Sequence, residues 1–379
     1  MNVLAIDFGT SSTVGVLAVA GQLPRPVEID GSVTMPSAVC VNDDGLLVVG
    51  RDAEQRARLD PSRFEANPKR RIDEGTLKLG DFDIDVADAF AAVLRRVGEE
   101  AQRTALVSQV RISHPAGWGA ERQDVVRRAA VKAGFGDVRL IPEPVAAAAH
   151  YAATGRRTTG PIGVYDLGAG TFDCSVVGST GQGFAVLAED GLSDIGSLDI
   201  DEALLVHIGR SVSHAHPQEW QALLRPRTKT DRRTRRALLQ DLRGAKESLS
   251  RHQQTEVPMP EPFDDVRITR AELEALVRPS LLRSAELLGT TIRRAGLTPA
   301  QLAGIYLVGG PSRMPLLAEL LTRVLGVVPT TQDQPETAVA FGLHLVPLGA
   351  TDVTVRAFAP VSPPSQPPRP QPWQARNWR

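Results

Sequence analysis

Asp166-Leu167-Gly168-Ala169-Gly170-Thr171-Phe172-Asp173 decides how this chain is read. An apolar run, 162–166, ends on an aspartate. The chain then turns through two glycines and a threonine into a second apolar run, 172–177. That is the pattern of two short strands joined by a tight turn. The start of the chain repeats it. Residues 3–7 run apolar up to Asp7, Phe8-Gly9-Thr10-Ser11-Ser12 makes the turn, and 14–19 reads as a strand. Each copy is later followed by a strand and a helix, 110–133 after the first and 305–325 after the second. Alternating strands and helices predict an α/β fold. The echo predicts two related halves with a crevice between them, and ligands favour such places.

Either turn alone would pass for an ordinary Asp-x-Gly hairpin turn. Two copies, each with a threonine after the glycine, point to a shared task. Backbone N–H groups and hydroxyls in such turns cradle phosphate oxygens. A carboxylate held beside them takes Mg²⁺, directly or through water. Two facing turns would embrace a triphosphate from both sides. A third glycine-rich stretch, Leu307-Val308-Gly309-Gly310-Pro311-Ser312-Arg313-Met314-Pro315, follows an apolar strand and opens a helix. Glycines there let a flat ligand approach the backbone, and a helix N-terminus favours anions.

Taken together, these segments resemble the phosphate-one, phosphate-two and adenosine motifs of the actin, sugar-kinase and heat-shock chaperone ATPases. The match is nearest to the nucleotide-binding domain of the seventy-kilodalton heat-shock chaperones (DnaK-type). Asp7 to Ser12 resembles their first phosphate loop, and 166–173 their second. His114-Pro115, then Ile141-Pro142-Glu143-Pro144-Val145-Ala146-Ala147-Ala148, resembles their first connecting segment; Pro335-Glu336-Thr337-Ala338-Val339-Ala340-Phe341-Gly342 resembles the second. The order and spacing hold from residue 1 to about 349. The resemblance implies an α/β, duplicated ribonuclease-H-like (actin-like ATPase) fold, with two lobes around a central nucleotide cleft. The first lobe would span 1–160. The second would span 161–349, with a helical subdomain around 198–295.

The resemblance also implies roles, for ATP/ADP and Mg²⁺ as cofactors. Asp7 and Asp166 would hold the metal and its waters. Gly9, Thr10, Ser11, Ser12, Gly168, Ala169, Gly170 and Thr171 would line the phosphates. Glu143 and Asp173 would help orient the attacking water. Gly309, Gly310 and Arg313 would flank the adenosine, joined from a helical subdomain by Lys246 and Ser250. Small residues at 146–149 and 338–342 would let two helices cross closely, although helix propensity alone also favours alanine.

Departures from the family pattern carry information too. Aligned without a gap, Gly50-Arg51-Asp52-Ala53-Glu54 puts Glu54 where the family has a catalytic lysine in Gly-x-x-x-Lys. A carboxylate facing a γ-phosphate repels it, where an ammonium would stabilise charge in the transition state. Either Arg51, Arg56, Lys69 or Arg70 substitutes, or hydrolysis is slow. Arg243 and Glu247 reverse a charge pair on the adenosine side. The family continues into a peptide-binding β domain, whereas this sequence runs into residues 350–379, where 360–379 alone holds seven prolines. Client-peptide binding is therefore not expected of it. Proline removes donors and fixes φ, so the tail reads as disordered or polyproline-like, with Arg369, Arg376, Arg379, Trp373 and Trp378 able to dock a partner.

Composition narrows the classes. Lys+Arg total 43 against Asp+Glu 44, a net charge of -1, which argues against a protein that coats nucleic acid or an acidic membrane. The start lacks a basic leader, and no apolar segment is long enough to span a bilayer, so a cytoplasmic protein is expected. Cys40 and Cys174 are far apart and suit neither a disulfide framework nor a zinc site. Residues 225–236 hold seven basic side chains and one acid, without interleaved aromatics, and read as a solvated helix start. No Gly-Lys pair is present, so there is no P-loop.

The leading expectation is a chaperone-like ATPase, a nucleotide-driven switch whose closure is read by co-chaperone-like partners. A nucleotide-gated module with little turnover, motivated by Glu54, is the second reading, and a small-molecule kinase of the same fold the third. Oligomeric state is left open.

Overall fold

A computed structural model describes residues 1–155, 160–181 and 183–347. Two mixed sheets position everything else. The first runs, strand beside strand, Val138–Pro142, Gln109–His114, Val3–Phe8, Ser12–Ala18 and Arg25–Val27. The second runs Gly183–Leu192, Phe172–Thr180, Ile162–Leu167 and Gly304–Val308. Each has an antiparallel pair at its centre, flanked on one side by a parallel strand.

The two centres correspond in register. Asp7 lies opposite Val14, and Asp166 opposite Asp173. On the parallel side Ile6 pairs with Ile112, and Asp166 with Val308. Both turns close in the same way: the Gly9 N–H donates to the Ser12 carbonyl at 3.1 Å, and the Gly168 N–H to the Thr171 carbonyl at 3.0 Å. The central strands read as unbroken apolar runs because helices cover both faces, leaving no solvated side to encode. Leu4, Ala5 and Ile6 are fully buried.

Helices complete three linked cores. Val86–Gln102 covers the first sheet, with Phe90 edge-on to Phe8 at 4.8 Å between ring centroids. Asp85 caps that helix by accepting from the Ala87 N–H. The helix stops at Gln102, where the chain turns back toward the Gln109–His114 strand, although the apolar spacing of 86–107 by itself predicts a helix to 107. Glu143–Ala153 and Ala338–Leu345 cross in the core that joins both sheets, packing on Ala5, Val14 and Val16 from one and Val164, Val177 and Tyr306 from the other. Their approach is so close that a Cβ on Gly342 would stand 1.8 Å from the Ala146 carbonyl oxygen. The small residues here are therefore a packing requirement and not only a helix preference. Arg111, buried on the Gln109–His114 strand, donates to the carbonyls of Leu343, His344 and Val346 and so satisfies the end of the second helix.

Beyond the second sheet, 198–295 is mostly helical, with the Gln254–Val257/Val266–Thr269 hairpin set between two of its helices. The Arg270–Arg294 helix opens with a Thr269–Glu272 capping box, a pairing that the Thr-x-x-Glu spacing of the sequence predicts. Residues 225–236 differ from expectation. The helix begins only at Lys229, behind a Thr228–Asp231 capping box, and part of its basic face packs on residues 59–64 rather than on solvent. The reason is tertiary: the first half of the chain supplies a covering segment that local sequence does not announce. The proline-rich tail lies outside the described residues. Among the described residues no helix is long and apolar enough to cross a membrane.

Candidate functional site

The two turns face each other across a cleft of about 720 Å³. A Cβ on Gly170 would meet the Thr10 side chain at 3.3 Å, so the tips almost touch. Both are braced from behind. Ser37 donates its hydroxyl to the Gly9 carbonyl at 2.8 Å and its N–H to the Ser11 carbonyl at 2.9 Å. The N–H groups of Ser197 and Leu198 hold the carbonyls of Gly168 and Ala169 at 3.0 and 2.9 Å. Such bracing leaves the turn N–H groups fixed in direction before any ligand arrives.

Four carboxylates gather on the floor: Asp7, Glu143, Asp166 and Asp173. Burial, followed by the charge of Glu143, pushes Asp7 up to about 6, against the opposing pull of Ser113 and Lys69. Ser113 donates its hydroxyl to Asp7 Oδ1 at 2.6 Å. Asp173 is also pushed up to about 6, by burial and then Glu143, although Thr171 donates to its Oδ2 at 2.8 Å. Asp166 is raised well above the usual carboxylate range by burial and by Glu143, Asp173 and Asp7. Carboxylates so placed repel one another and favour any cation that enters.

One cation is built in. Lys69, 7% exposed, holds Glu143 Oε1 at 3.0 Å and lies 5.2 Å from the Trp118 ring centre and 5.9 Å from that of Phe8. Glu143 heads the Glu143–Ala153 helix, where N-terminal N–H groups favour a negative charge. Lys69 arrives on the 3-10 turn Pro68–Glu74. The expectation that Glu54 occupies the lysine's place is overturned. Glu54 sits on the Gly50–Arg56 helix and does not line the cleft; Lys69, offered only as one of several substitutes, does. Between the two positions the chain passes through the Pro61–Arg63 turn and the Phe64–Glu65 strand before the Pro68–Glu74 turn brings Lys69 to the cleft.

The other expected residues line the same cleft: Gly9, Ser11, Ser12, Gly168, Ala169, Thr171, Lys246, Ser250, Gly309, Gly310 and Arg313. Gly309 has φ 85°, and a Cβ there would stand 2.2 Å from the Leu167 carbonyl, so the third turn is tied against the second. The Arg313 guanidinium is already held by both carboxylate oxygens of Glu336, each at 2.9 Å. The Lys246 ammonium is buried against Asp201 at 2.5 Å and bonds Ser197, so it offers a ligand its stem more than its charge. Arg243 and Glu247 do pair, at 3.2 Å. Ser113 and Trp118 escaped the sequence reading, while Arg70 entered it only as one of several substitute cations and Glu336 only as part of the second connecting segment. None lies within a glycine-rich signature, and each becomes part of the site only through a neighbour remote in sequence.

The floor offers hard oxygen donors of the kind that suit Mg²⁺. Among the described residues no group of three or more His, Cys, Asp or Glu could hold a metal alone. A hard cation bound through one or two carboxylates plus ligand phosphates and waters is compatible with that arrangement.

Known proteins share this chain's pattern. The family model described as Hsp70 protein matches residues 79–348. The "Chaperone protein HscA homolog" of Bordetella pertussis is 32% identical over 371 residues, which cover 90% of this chain and 57% of that protein. Proteins of the same description from Burkholderia mallei and Azotobacter vinelandii are 30% and 29% identical, and this chain again covers 57% of each. The chain thus spans little more than half the length of these curated relatives. With the family model matching residues 79–348, most of the sequence, and the Bordetella pertussis relative 32% identical across 90% of the chain, the chain belongs to the Hsp70 family.

Proposed function

We propose that the chain binds Mg²⁺–ATP in the cleft, hydrolyses it by direct attack of water, and uses ATP and ADP to favour different closures. The observation that carries this reading is the pair of braced acidic turns meeting at Thr10 and Gly170, with Lys69 and Glu143 on the floor between them. In this reading the fold is duplicated, with lobes at 1–160 and 161–349 and a helical subdomain around 198–295. The nucleotide lies between them.

Asp7 and Asp166 would hold Mg²⁺ and its waters, and the metal would offset phosphate charge. Thr10, Ser11 and Ser12 on one side, and the 168–171 backbone on the other, would receive the phosphate oxygens. Glu143 and Asp173 would orient water for in-line attack, with no covalent intermediate. Lys69 would stabilise the charge that develops on the transferring phosphoryl group. Gly309, Gly310, Arg313, Lys246 and Ser250 would flank the adenosine. A cleft of about 720 Å³ is in the range of small-ligand sites. The reading of a module with little turnover loses its motive once Glu54 is seen away from the cleft. Co-chaperone-like proteins that read the closure are the expected partners.

Isothermal titration with ATP, with and without Mg²⁺, followed by phosphate release under single turnover, tests the proposal. Metal-dependent binding and release above the uncatalysed rate are expected. Absence of binding at millimolar nucleotide would refute it.

A further inference from the structure

The helix whose last turns line the cleft carries a basic stripe at its start. Lys229, Arg232, Arg233 and Arg236 follow i, i+3, i+4, i+7 spacing and share one face. That face meets the segment just before Lys69. Arg233 donates to the Leu59 carbonyl at 2.7 Å, the Arg236 guanidinium lies 4.0 Å from the Phe64 ring centre, and the Lys229 ammonium is 3.7 Å from Asp60. The segment is itself basic, with Arg56 and Arg58 exposed. Two surfaces of like sign therefore meet at the rim.

Acids there are too few. Asp60 serves both Lys229 and Arg63, Asp43 serves Arg63 alone, and Asp231 is spent on the capping box. Arg235 is the basic-stripe neighbour that finds a carboxylate of its own, in Glu202. Glu54 lies within electrostatic reach of Arg236, but Arg58 opposes it. Among the described residues Arg232 Nε and Arg236 Nη1 are buried with no hydrogen-bond acceptor. Both atoms are shielded from solvent, so they mark a face short of acceptors and are not themselves the point of contact.

We propose that this rim is a docking surface for a short acidic polypeptide segment, whose carboxylates bridge the Lys229–Leu249 helix and residues 56–64. The stripe spans about 10 Å of helix, a length that a few carboxylates match. The aromatic rings at this surface, Phe64 and Phe82, already lie under Arg236 and Arg63, so no platform is left for stacking bases as single-stranded nucleic acid requires. A net charge of -1 also means that acids elsewhere repel a long polyanion, while a short segment meets only the rim. By touching both sides, the segment would hold the rim closed and slow nucleotide release. That consequence rests on the proposed nucleotide function; docking itself does not.

Fluorescence anisotropy of a labelled deca-glutamate peptide against the full chain, without nucleotide, reads docking directly. Saturable binding that weakens with salt is expected. Arg56→Glu/Arg58→Glu, both exposed, should weaken it about tenfold, and Arg233→Glu comparably. Arg323→Glu, an exposed charge reversal on another helix, should leave it unchanged. No saturation at low salt, an equal loss in the Arg323→Glu control, or tighter binding of a deca-thymidine oligonucleotide than of the peptide would each overturn the proposal. Release of a fluorescent ADP analogue, with and without peptide, then reads the coupling. If the cleft binds no nucleotide, this last measurement fails while the anisotropy result stands.

Discussion

At the Asp7 turn, the residue across the strand pair from the aspartate is Val14; at the Asp166 turn it is Asp173. The backbones close alike, but the side chains differ. The first turn presents hydroxyls from Thr10, Ser11 and Ser12, and its aspartate receives a hydrogen bond from Ser113. The second presents small residues, Gly168-Ala169-Gly170, and adds a second carboxylate two residues beyond Thr171. One backbone device thus serves two chemistries. The first turn is a donor surface around a compensated acid. The second is a bare backbone cradle beside two acids held in mutual repulsion. Lys69 and Glu143 stand between them as the shared ion pair.

The largest effect should come from that shared pair. Lys69→Ala should slow single-turnover ATP hydrolysis by on the order of 10²–10³, while Glu54→Lys changes it less than about twofold. A strong gain from Glu54→Lys would restore position 54 as the lysine's place.

Next come the aspartates themselves. Asp166→Asn should raise the thermal midpoint of the nucleotide-free protein by a few degrees near neutral pH, while it removes Mg²⁺-dependent ATP affinity. Asp7→Asn should raise the midpoint less, because Asp7 faces fewer carboxylates and has the Ser113 hydroxyl. Equal gains in differential scanning calorimetry would mean that the turns are electrostatically alike. Sites organised for function often sacrifice stability in this way.

The smallest effect is a pH dependence. Asp173 has its folded pKa raised from 3.8 to about 6. Between those values the folded protein holds more proton than the unfolded chain, so this group's contribution to stability falls as pH rises across the window. Asp173→Asn should therefore stabilise the nucleotide-free protein above about pH 6 and lose that advantage toward pH 4. Thermal melts of both proteins across this range, without divalent metal, check it. An advantage that grows on acidification would reverse the assigned cause.

Much of this was legible in the sequence where the signal is local. Asp-Gly-Thr turns after apolar runs, the Thr269–Glu272 cap and the small residues at 338–342 all read correctly, because strand ends, caps and close crossings demand particular residue types at fixed spacing. Lys69 was harder to place. Its neighbours Asn67-Pro68 signal only a turn start, and nothing nearby shows that the turn ends under Trp118 and against Glu143. The basic run at 225–236 was misjudged for the same reason: charge spacing describes a helix face, not what lies opposite it.

The sequence by itself determined the two acidic turns, the strands that carry them and the membership of a family, since each depends on residues adjacent in the chain. Only the tertiary structure decided which cation sits among the floor carboxylates, which hydroxyl compensates Asp7, and that two basic surfaces meet at the rim. Those are contacts between segments tens to hundreds of residues apart. Their energies depend on distance and burial, which no local pattern encodes.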